Sequence, residues 1–544
     1  MLETAEKRVF DRLKDLDQDF TQWEQRGQDV VDYLAPSRQD IISRRTPGAQ
    51  KTEKIYDTTP TDALNKCAAG FMGYHTSQAA PWFGLATLNR ELMNFVDVKF
   101  YLQEVVRTMQ LVFHQANLYT QLHEFYIDLA GFCTACMFIG EDPVNYLYFK
   151  TIPFGQYRVA ENRKGIIDVL YRAYPETARN LEDQFGKEAL PDEVRKALLD
   201  DGNFDEKFPI VHAVWPKSDV DIGGIPDIFP YQSAYYIKAG MTAGNDNVIE
   251  KKGFYEFPYA VARWSKDSGE KYGRGPGIDN MPDIKTLQKQ EKSILKAGQK
   301  AVDPPLDIPP GYRTAIRTGP AGLNFRAQGT EGIKPLYEFG ANIPIGAELA
   351  EQRRERIKKA FYNDVFMMLQ NLQKGRMTIP ELMERIQEKL VILGPVIGRL
   401  HHEATGPIIE RSYGILSRQF PPVLPMLPEI LQDNEIEIEY ISPLAKAQRA
   451  SEMRTSMDSI NMIFAVSEKI PDIVDNINGD EFAKEVFELS GINQKLLNDP
   501  RTVKAIREQR AQMQQIEQQK ADLLLAAEVA NKAGGALGQG ATLQ

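Results

Sequence analysis

Apolar residues recur at intervals of three and four near both ends of this chain and at intervals of two through part of its middle. The pattern therefore predicts helices, then sheet, then helices again. Val9, Leu13, Leu16, Phe20 and Trp23 predict a helix over residues 2–34. It stops at Ala35-Pro36, because a proline disfavours helical backbone in the residue before it. Residues 37–59 are polar and turn-rich and are expected to form a mobile loop. Residues 61–77 and 94–126 again read as helices, with Pro81-Trp82-Phe83 between them as an aromatic anchor. Strand-type patterning follows over 146–174, 208–215, 231–237 and 254–264, interrupted by a short helix near 191–199. The fold class is α+β, mainly helical.

The next stretch has a different plan. A helical run starts near Pro282, a residue tolerated in a first turn, and ends before Pro304-Pro305. Its apolar residues are Ile284, Leu287, Ile294 and Leu295. An insert over 303–343, rich in Pro and Gly, carries short strand-like pieces. A second run over 346–369 puts Ile357, Phe361, Val365 and Met368 on one stripe. Two helices and an insert make a helical hairpin. A loop, Gln373-Lys374-Gly375-Arg376, comes next, and Thr378 with Glu381 forms a capping box for a further helix. Leu382, Ile386, Leu390, Leu393, Ile397 and Leu400 carry that helix toward Phe420, roughly 60 Å if continuous at about 1.5 Å per residue. Gly394-Pro395 and Gly406-Pro407 should kink it. Residues 434–441 alternate strictly and predict a strand with one buried face; 443–525 are helical and end Gln-rich, and the last dozen residues lack bulky groups and are expected to be disordered.

Charge on the hairpin is the feature that points to function. Lys285, Lys289, Lys292, Lys296 and Lys300 are spaced so that they fall within roughly 80° of one helix face at about 100° per residue. That stripe is either a solvated face or a surface turned to a polyanion or a partner. Arg353, Arg354, Arg356, Lys358 and Lys359 spread around the second helix, so some must meet neighbours such as Glu351 or Glu355. Gln373, Lys374 and Arg376 sit on the loop, where two cations suit phosphate contacts that carry no sequence information.

Other chemistry is thin. Gly273, Gly275 and Gly277 resemble a nucleotide loop, but Ile278 stands where a third dinucleotide-motif glycine belongs, and the chain holds no G-x-x-x-x-G-K-[ST]. Those glycines read as turn geometry. Cys133 and Cys136 lie in the apolar GFCTACMFIG with no second ligand pair, so they read as buried small hydrophobes rather than zinc ligands. His401-His402 reads as a helical surface pair. No catalytic motif, cofactor or metal site is visible.

Composition narrows the class. A chain of 544 residues suffices for roughly two to four units with real cores. No run of 18 apolar residues predicts a membrane helix, the N-terminus lacks an apolar signal region, and three cysteines make no disulfide scaffold. A net charge of −10 argues against coating DNA over the whole surface, while local basic stripes would still allow close and loose passage.

Three segments, YDTTPTDALNKCAAGFMGYHTSQAAPWFGL, YGRGPGIDNMPDIKTL and MTIPELMERIQEKLVILGPVIGRLHHEATGPIIERSYGIL, give the chain its resemblance to the portal, or head-to-tail connector, of short-tailed bacteriophages. The resemblance implies a cyclic ring of about twelve subunits at one capsid vertex, with double-stranded DNA passing along its axis without sequence preference. It implies a wing built from 1–278 and from the kinked helix and strand of 379–442. The stem would be 279–301 with 345–369, the clip 302–344, the tunnel loop 370–378, the crown 443–530 and the tail 531–544. The implied partners are the major capsid and scaffolding proteins, the large terminase subunit, tail adaptor and nozzle proteins, and internal core or ejection proteins at the crown. The implied place is the virion, after assembly in the host cytoplasm. Rival readings are another neck or adaptor ring, or a DNA-processing enzyme; the first is disfavoured by chain length and the second by the missing nucleotide loop and metal-carboxylate cluster.

Overall fold

The computed structural model describes residues 2–199, 202–237, 248–308, 342–370, 393–432, 436–440, 462–463 and 500–538, with parts of 315–336. In chain order its helices are α1 (Leu2–Tyr33), α2 (Thr59–Tyr74), α3 (Val96–Gln115), α4 (Leu118–Gly131), α5 (Ala178–Phe185), α6 (Asp192–Leu199), α7 (Pro276–Asp279), α8 (Met281–Val302), α9 (Asn342–Ala360), α10 (Asn363–Gln370), α11 (393–400), α12 (Gly406–Arg418) and α13 (Pro500–Gly538). Its strands are β1 (Phe83–Thr87), β2 (Thr134–Asp142), β3 (Tyr146–Ile152), β4 (Tyr157–Glu161), β5 (Ile167–Thr177), β6 (Lys207–Pro216), β7 (Tyr231–Ile237), β8 (Val248–Phe254), β9 (Tyr259–Arg263), β10 (Leu306–Asp307), β11 (Lys334–Pro335) and β12 (Ile436–Tyr440). About 51 % helix against 20 % strand makes this the mixed, mainly helical class that the periodicity predicts.

Two compact units divide the chain. The first holds residues 1–85, 104–426 and 437–445, the second 86–103, 427–436 and 446–544. In the second, the described part of α13 is a long, solvent-exposed helix rich in Gln, Glu, Lys, Ala and Leu, all strong helix formers. It runs to Gly538, so the tail expected to lack structure from 531 is helical through that residue. Much of the expected helical crown, 441–461 and 464–499, lies outside the described residues.

In the first unit a five-stranded antiparallel sheet, ordered β4-β5-β6-β7-β8, carries the core. Alternation sorts its side chains. Val169, Tyr171, Val211, Ala213, Ala234 and Tyr236 face one way and bury Val9, Phe10, Leu13 and Leu16 of α1. Tyr174, Ile210, Tyr235 and Ile237 face the other way and bury Ala178, Leu181, Val194 and Leu198 of α5 and α6. A second sheet, β3-β2-β9, holds the buried Cys133 and Cys136 at the start of β2, as their apolar setting suggests. Residues 37–58, expected to be mobile, are irregular but fastened. The Gln28 side-chain carbonyl accepts from the backbone N–H groups of Ile41, Ile42 and Ser43, and Arg45 and Lys54 both reach the buried Asp32 at 2.5 and 2.6 Å.

The glycine segment is a close-packing device. A Cβ on Gly277 would stand 2.0 Å from the carbonyl oxygen of Gly131, and one on Gly273 would stand 2.1 Å from that of Cys133. Only hydrogen at these positions lets α7 dock on the end of α4 and the start of β2.

At the Gly406-Pro407 step, where a kink is expected, the helix widens into a π-turn at His401–Thr405, between α11 and α12, where the Gly406 N–H bonds to the His401 carbonyl. Pro407 has no N–H to continue the ladder. Glu403 in this turn takes two bonds from the Arg263 guanidinium, at 3.1 and 2.7 Å, and one from its backbone N–H. Beside it, His401 is half-buried rather than a surface residue; it stacks on Tyr440 at 3.7 Å and on the buried His75 at 5.0 Å. Both imidazole Nε2 atoms are buried and lack a hydrogen-bond partner. Burial, with His401 nearby, lowers the His75 pKa to about 3, and burial, with His402 nearby, lowers that of His401 to about 4.

These two imidazoles fix a pH dependence. Both are neutral in the fold but protonate near 6.5 once unfolded, so stability is full above 6.5 and is lost as pH falls toward 4. The expected loss is at most about 1.4 kcal/mol per pH unit for each imidazole. Urea midpoints at a series of pH values should show a shallower slope for His75→Phe than for the parent; equal slopes would contradict this account.

Candidate functional site

The hairpin is formed by α8 and α9. Met281, Ile284 and Leu287 of α8 and Ala350 and Ile357 of α9 are buried, so the basal half has a real apolar interior. Gly346 comes within contact distance of Ile294 farther along. Leu295, expected on the apolar stripe, is half exposed. Of the insert, β10 and β11 pair antiparallel, Leu306 with Pro335 and Asp307 with Lys334.

The second helix departs from expectation. It is not continuous over 345–369 but breaks at Tyr362, whose φ of 55° is left-handed, and restarts as α10. A left-handed residue costs roughly 1–2 kcal/mol outside glycine, so packing must outweigh it. The break brings the Phe366 ring over α2: a Cβ on Gly70 would stand 2.3 Å from it, and it lies 5.6 Å from Phe71 and 5.9 Å from Tyr74. Tyr362 itself stacks on Trp264 at 6.0 Å. Aromatic burial against α2 thus overrides the helical period.

Polar contacts then lock both helices to one corner of the preceding loop. Gln288, buried in α8, accepts from the backbone N–H groups of Tyr56 and Asp57 at 2.6 and 2.9 Å and donates to the Asp57 carbonyl at 2.8 Å. The Asp57 carboxylate accepts from the Thr59 N–H at 2.7 Å and from Arg354 of α9 at 2.6 Å. Burial alone would raise the Asp57 pKa, but the bonds from Thr59 and Arg354 outweigh it and hold the carboxyl below its ordinary value. Arg354 also meets Glu291 at 2.5 Å and Glu351 at 2.8 Å, and Arg353 meets Asp283 and Gln290 at 2.9 Å.

The predicted cations therefore sort into two sets. Lys285 pairs with Asp29 at 2.7 Å, Arg353 and Arg354 cross-link the hairpin, and Lys358 pairs with Glu355 at 2.8 Å. Lys289, Lys292, Lys296, Lys300, Arg356 and Lys359 are exposed. Lys292 lies 5.2 Å from the Tyr56 ring centre, an attraction that needs no acid. From residue 292 to its end α8 contains no Asp or Glu, while the acids nearer its base, Asp283 and Glu291, are taken by Arg353 and Arg354. The geometry leaves a basic distal half on a neutralised base. Gln373, Lys374 and Arg376, with the capping box that follows them, lie outside the described residues.

Asp57 and Gln288 were missed by sequence reasoning. The run Asp57-Thr58-Thr59-Pro60 does signal the start of α2, but nothing local reveals that the same carboxylate also receives Arg354 from α9. Among the described residues no group of three or more His, Cys, Asp or Glu side chains is placed to hold a metal ion. No described helix is long and apolar enough to cross a membrane.

A model of the family described as bacteriophage head to tail connecting protein matches residues 6–497. The "Probable portal protein" of Bordetella phage BPP-1 is 31 % identical over 538 residues, covering 98 % of this chain and 96 % of that protein. The "Portal protein" of Salmonella phage epsilon15 is 30 % identical over 524 residues, covering 95 % and 93 %.

The clamp should be separable from the exposed cations. Asp57→Ala leaves Gln288 its backbone bonds but strips Arg354 of its most buried partner, and is expected to cost about 2–3 kcal/mol. Lys296→Ala should stay within about 0.5 kcal/mol. Denaturant unfolding of the two variants beside the parent measures the difference.

Proposed function

Since this chain belongs to the family of bacteriophage head to tail connecting proteins, we propose that it is a phage portal, a structural component of the virion rather than an enzyme, and that it works as a ring. About twelve copies would close by cyclic symmetry at one capsid vertex. Double-stranded DNA would enter through the axis during packaging and leave by it at ejection. The wing would meet the major capsid and scaffolding proteins, the clip the large terminase subunit and later the tail adaptor and nozzle proteins, and the crown the internal ejection proteins.

The observation that carries this reading is the charge division on the α8–α9 hairpin. A channel wall must be held rigidly yet grip its cargo weakly. Here the buried and half-buried cations are spent on internal ion pairs, whereas Lys292 and Lys296 stand exposed along a helix half without acids. Exposed lysine–phosphate contacts are individually weak and screened within about 10 Å at moderate salt, so DNA could slide past them. Lys374 and Arg376, in the tunnel loop proposed for 370–378, would add two cations per subunit.

Sedimentation at micromolar concentration and physiological salt should show a large closed oligomer; a monomer would sink the reading. The triple change Lys292, Lys296 and Lys300 to alanine, and separately Lys374→Ala with Arg376→Ala, should leave that oligomer intact while lowering the amount of genome packaged or retained. Normal packaging in both variants would move the DNA path away from these residues.

A further inference from the structure

Three arginines are buried among the described residues, and only two are neutralised. Arg263 lies 2.8 Å from Glu161 and 2.7 Å from Glu403, and Arg411 lies 3.5 Å from Glu256. Arg172, only 7 % exposed, has no carboxylate within ion-pair distance among the described residues. Its Nε and Nη2 donate to the Gln156 side-chain carbonyl at 3.3 Å, and its guanidinium lies 3.8 Å from the Tyr174 ring centre. Neither neighbour carries a net charge. Among the described residues its Nη1 has no partner, and it is not sealed from solvent. A buried charge in this state is costly, and such groups are ordinarily paired.

The setting is a margin between the two sheets. Arg172 is opposite His212 on β6, and His212 is opposite Tyr235 on β7, all on the face turned toward β2, β3 and β9. His212 cannot supply or accept charge there: burial first, then Arg172 and Lys252, keep it neutral, and its two nitrogens are taken by Tyr259 and Ser233. Across the margin β3 presents Tyr148 and Lys150. Burial, then Arg172, lowers the Lys150 pKa, with Glu176 acting against them. Glu176, the acid in this neighbourhood, is bonded to Asn180 and to the Thr177 N–H.

We propose that Arg172, with Lys150 and the rings of Tyr148 and Tyr174, forms a receptor site for a carboxylate side chain of another protein chain. A guanidinium fork matches a carboxylate in two parallel bonds. A carboxylate on a short flexible stem can reach a guanidinium that is almost wholly buried, whereas phosphates on a stiff duplex stand off from such a recess. Glu176 close to Lys150 also repels a row of phosphates more than a single carboxylate.

Thermal unfolding of the full-length protein at constant ionic strength tests the site, with sodium glutarate replacing sodium chloride. Glutarate should raise the midpoint of the parent by about 2 °C or more. Arg172→Met should not respond, and in chloride it should unfold at or above the parent's midpoint, because removing an uncompensated buried charge outweighs the small loss of side-chain volume. Lys150→Met should fold normally and respond less than the parent. The proposal fails if the parent ignores glutarate. It fails equally if Lys150→Met responds in full, or if Arg172→Met unfolds well below the parent in chloride, which would mean that the chain already compensates the charge. Stabilisation by duplex DNA that is lost in Arg172→Met, without any by glutarate, would also overturn it.

Discussion

The hairpin depends on one carboxylate. Asp57 is the point where the loop before α2, the start of α2 and helix α9 meet, and Gln288 adds α8 to the same corner through the backbone beside it. The two helices are separated by a 39-residue insert, so no tight turn sets their register. Their apolar contact is made near the base, by Ile284, Leu287, Ala350 and Ile357, and hydrophobic contact alone is non-directional. Directional bonds to a single corner turn that contact into a defined angle. The acid that performs this must itself stay ionised, and the bonds from Thr59 and Arg354 secure it against the cost of burial.

The same clamp explains why the basic residues of the hairpin are not equivalent. Arg is the better cation for a buried, multi-branched contact because its fork reaches several acceptors at once, and Arg354 serves Asp57, Glu291 and Glu351 together. Lysine suits the distal face, where a compact and strongly hydrated charge on a flexible stem makes loose contacts. This division by residue type is written in the sequence, arginines at 353 and 354 against lysines at 289, 292, 296 and 300, but its meaning emerges only when the acids of α8 are seen to be occupied.

Legibility followed the range of the interactions. Helices α1, α2, α6 and α8 and strands β6 and β7 were readable because their apolar periods report burial of one face by whatever lies beneath. Strand β2 was missed: it is buried along most of its length, so the run TACMFIG has no alternation to read. The break at Tyr362 was invisible because Ile357, Phe361 and Val365 keep the helical period, and only Gly70 on a distant helix explains why the chain turns there. His401 was misread for the same reason. Its burial comes from Tyr440 and His75, each far away in sequence. The carboxylate corner is the extreme case, since Asp57 and Arg354 are 297 positions apart.

On the proposed reading, an acidic protein through which DNA passes presents no contradiction once charge is resolved by place. The net charge of −10 is spread over the chain, and part of it is cancelled inside the fold by pairs such as Arg263 with Glu161 and Glu403. What a passing polyanion would meet is set by the charges within a Debye length, about 10 Å at 0.1 M salt, and not by the sum. On the proposed reading, a wall that was basic throughout would bind DNA at every register and resist its movement. A wall basic only on its distal half, on an otherwise acidic body, holds the duplex near the axis while each contact remains easily broken. The physical demand on such a protein is therefore rigidity without affinity, and the corner at Asp57 supplies the first without drawing on the cations that would govern the second.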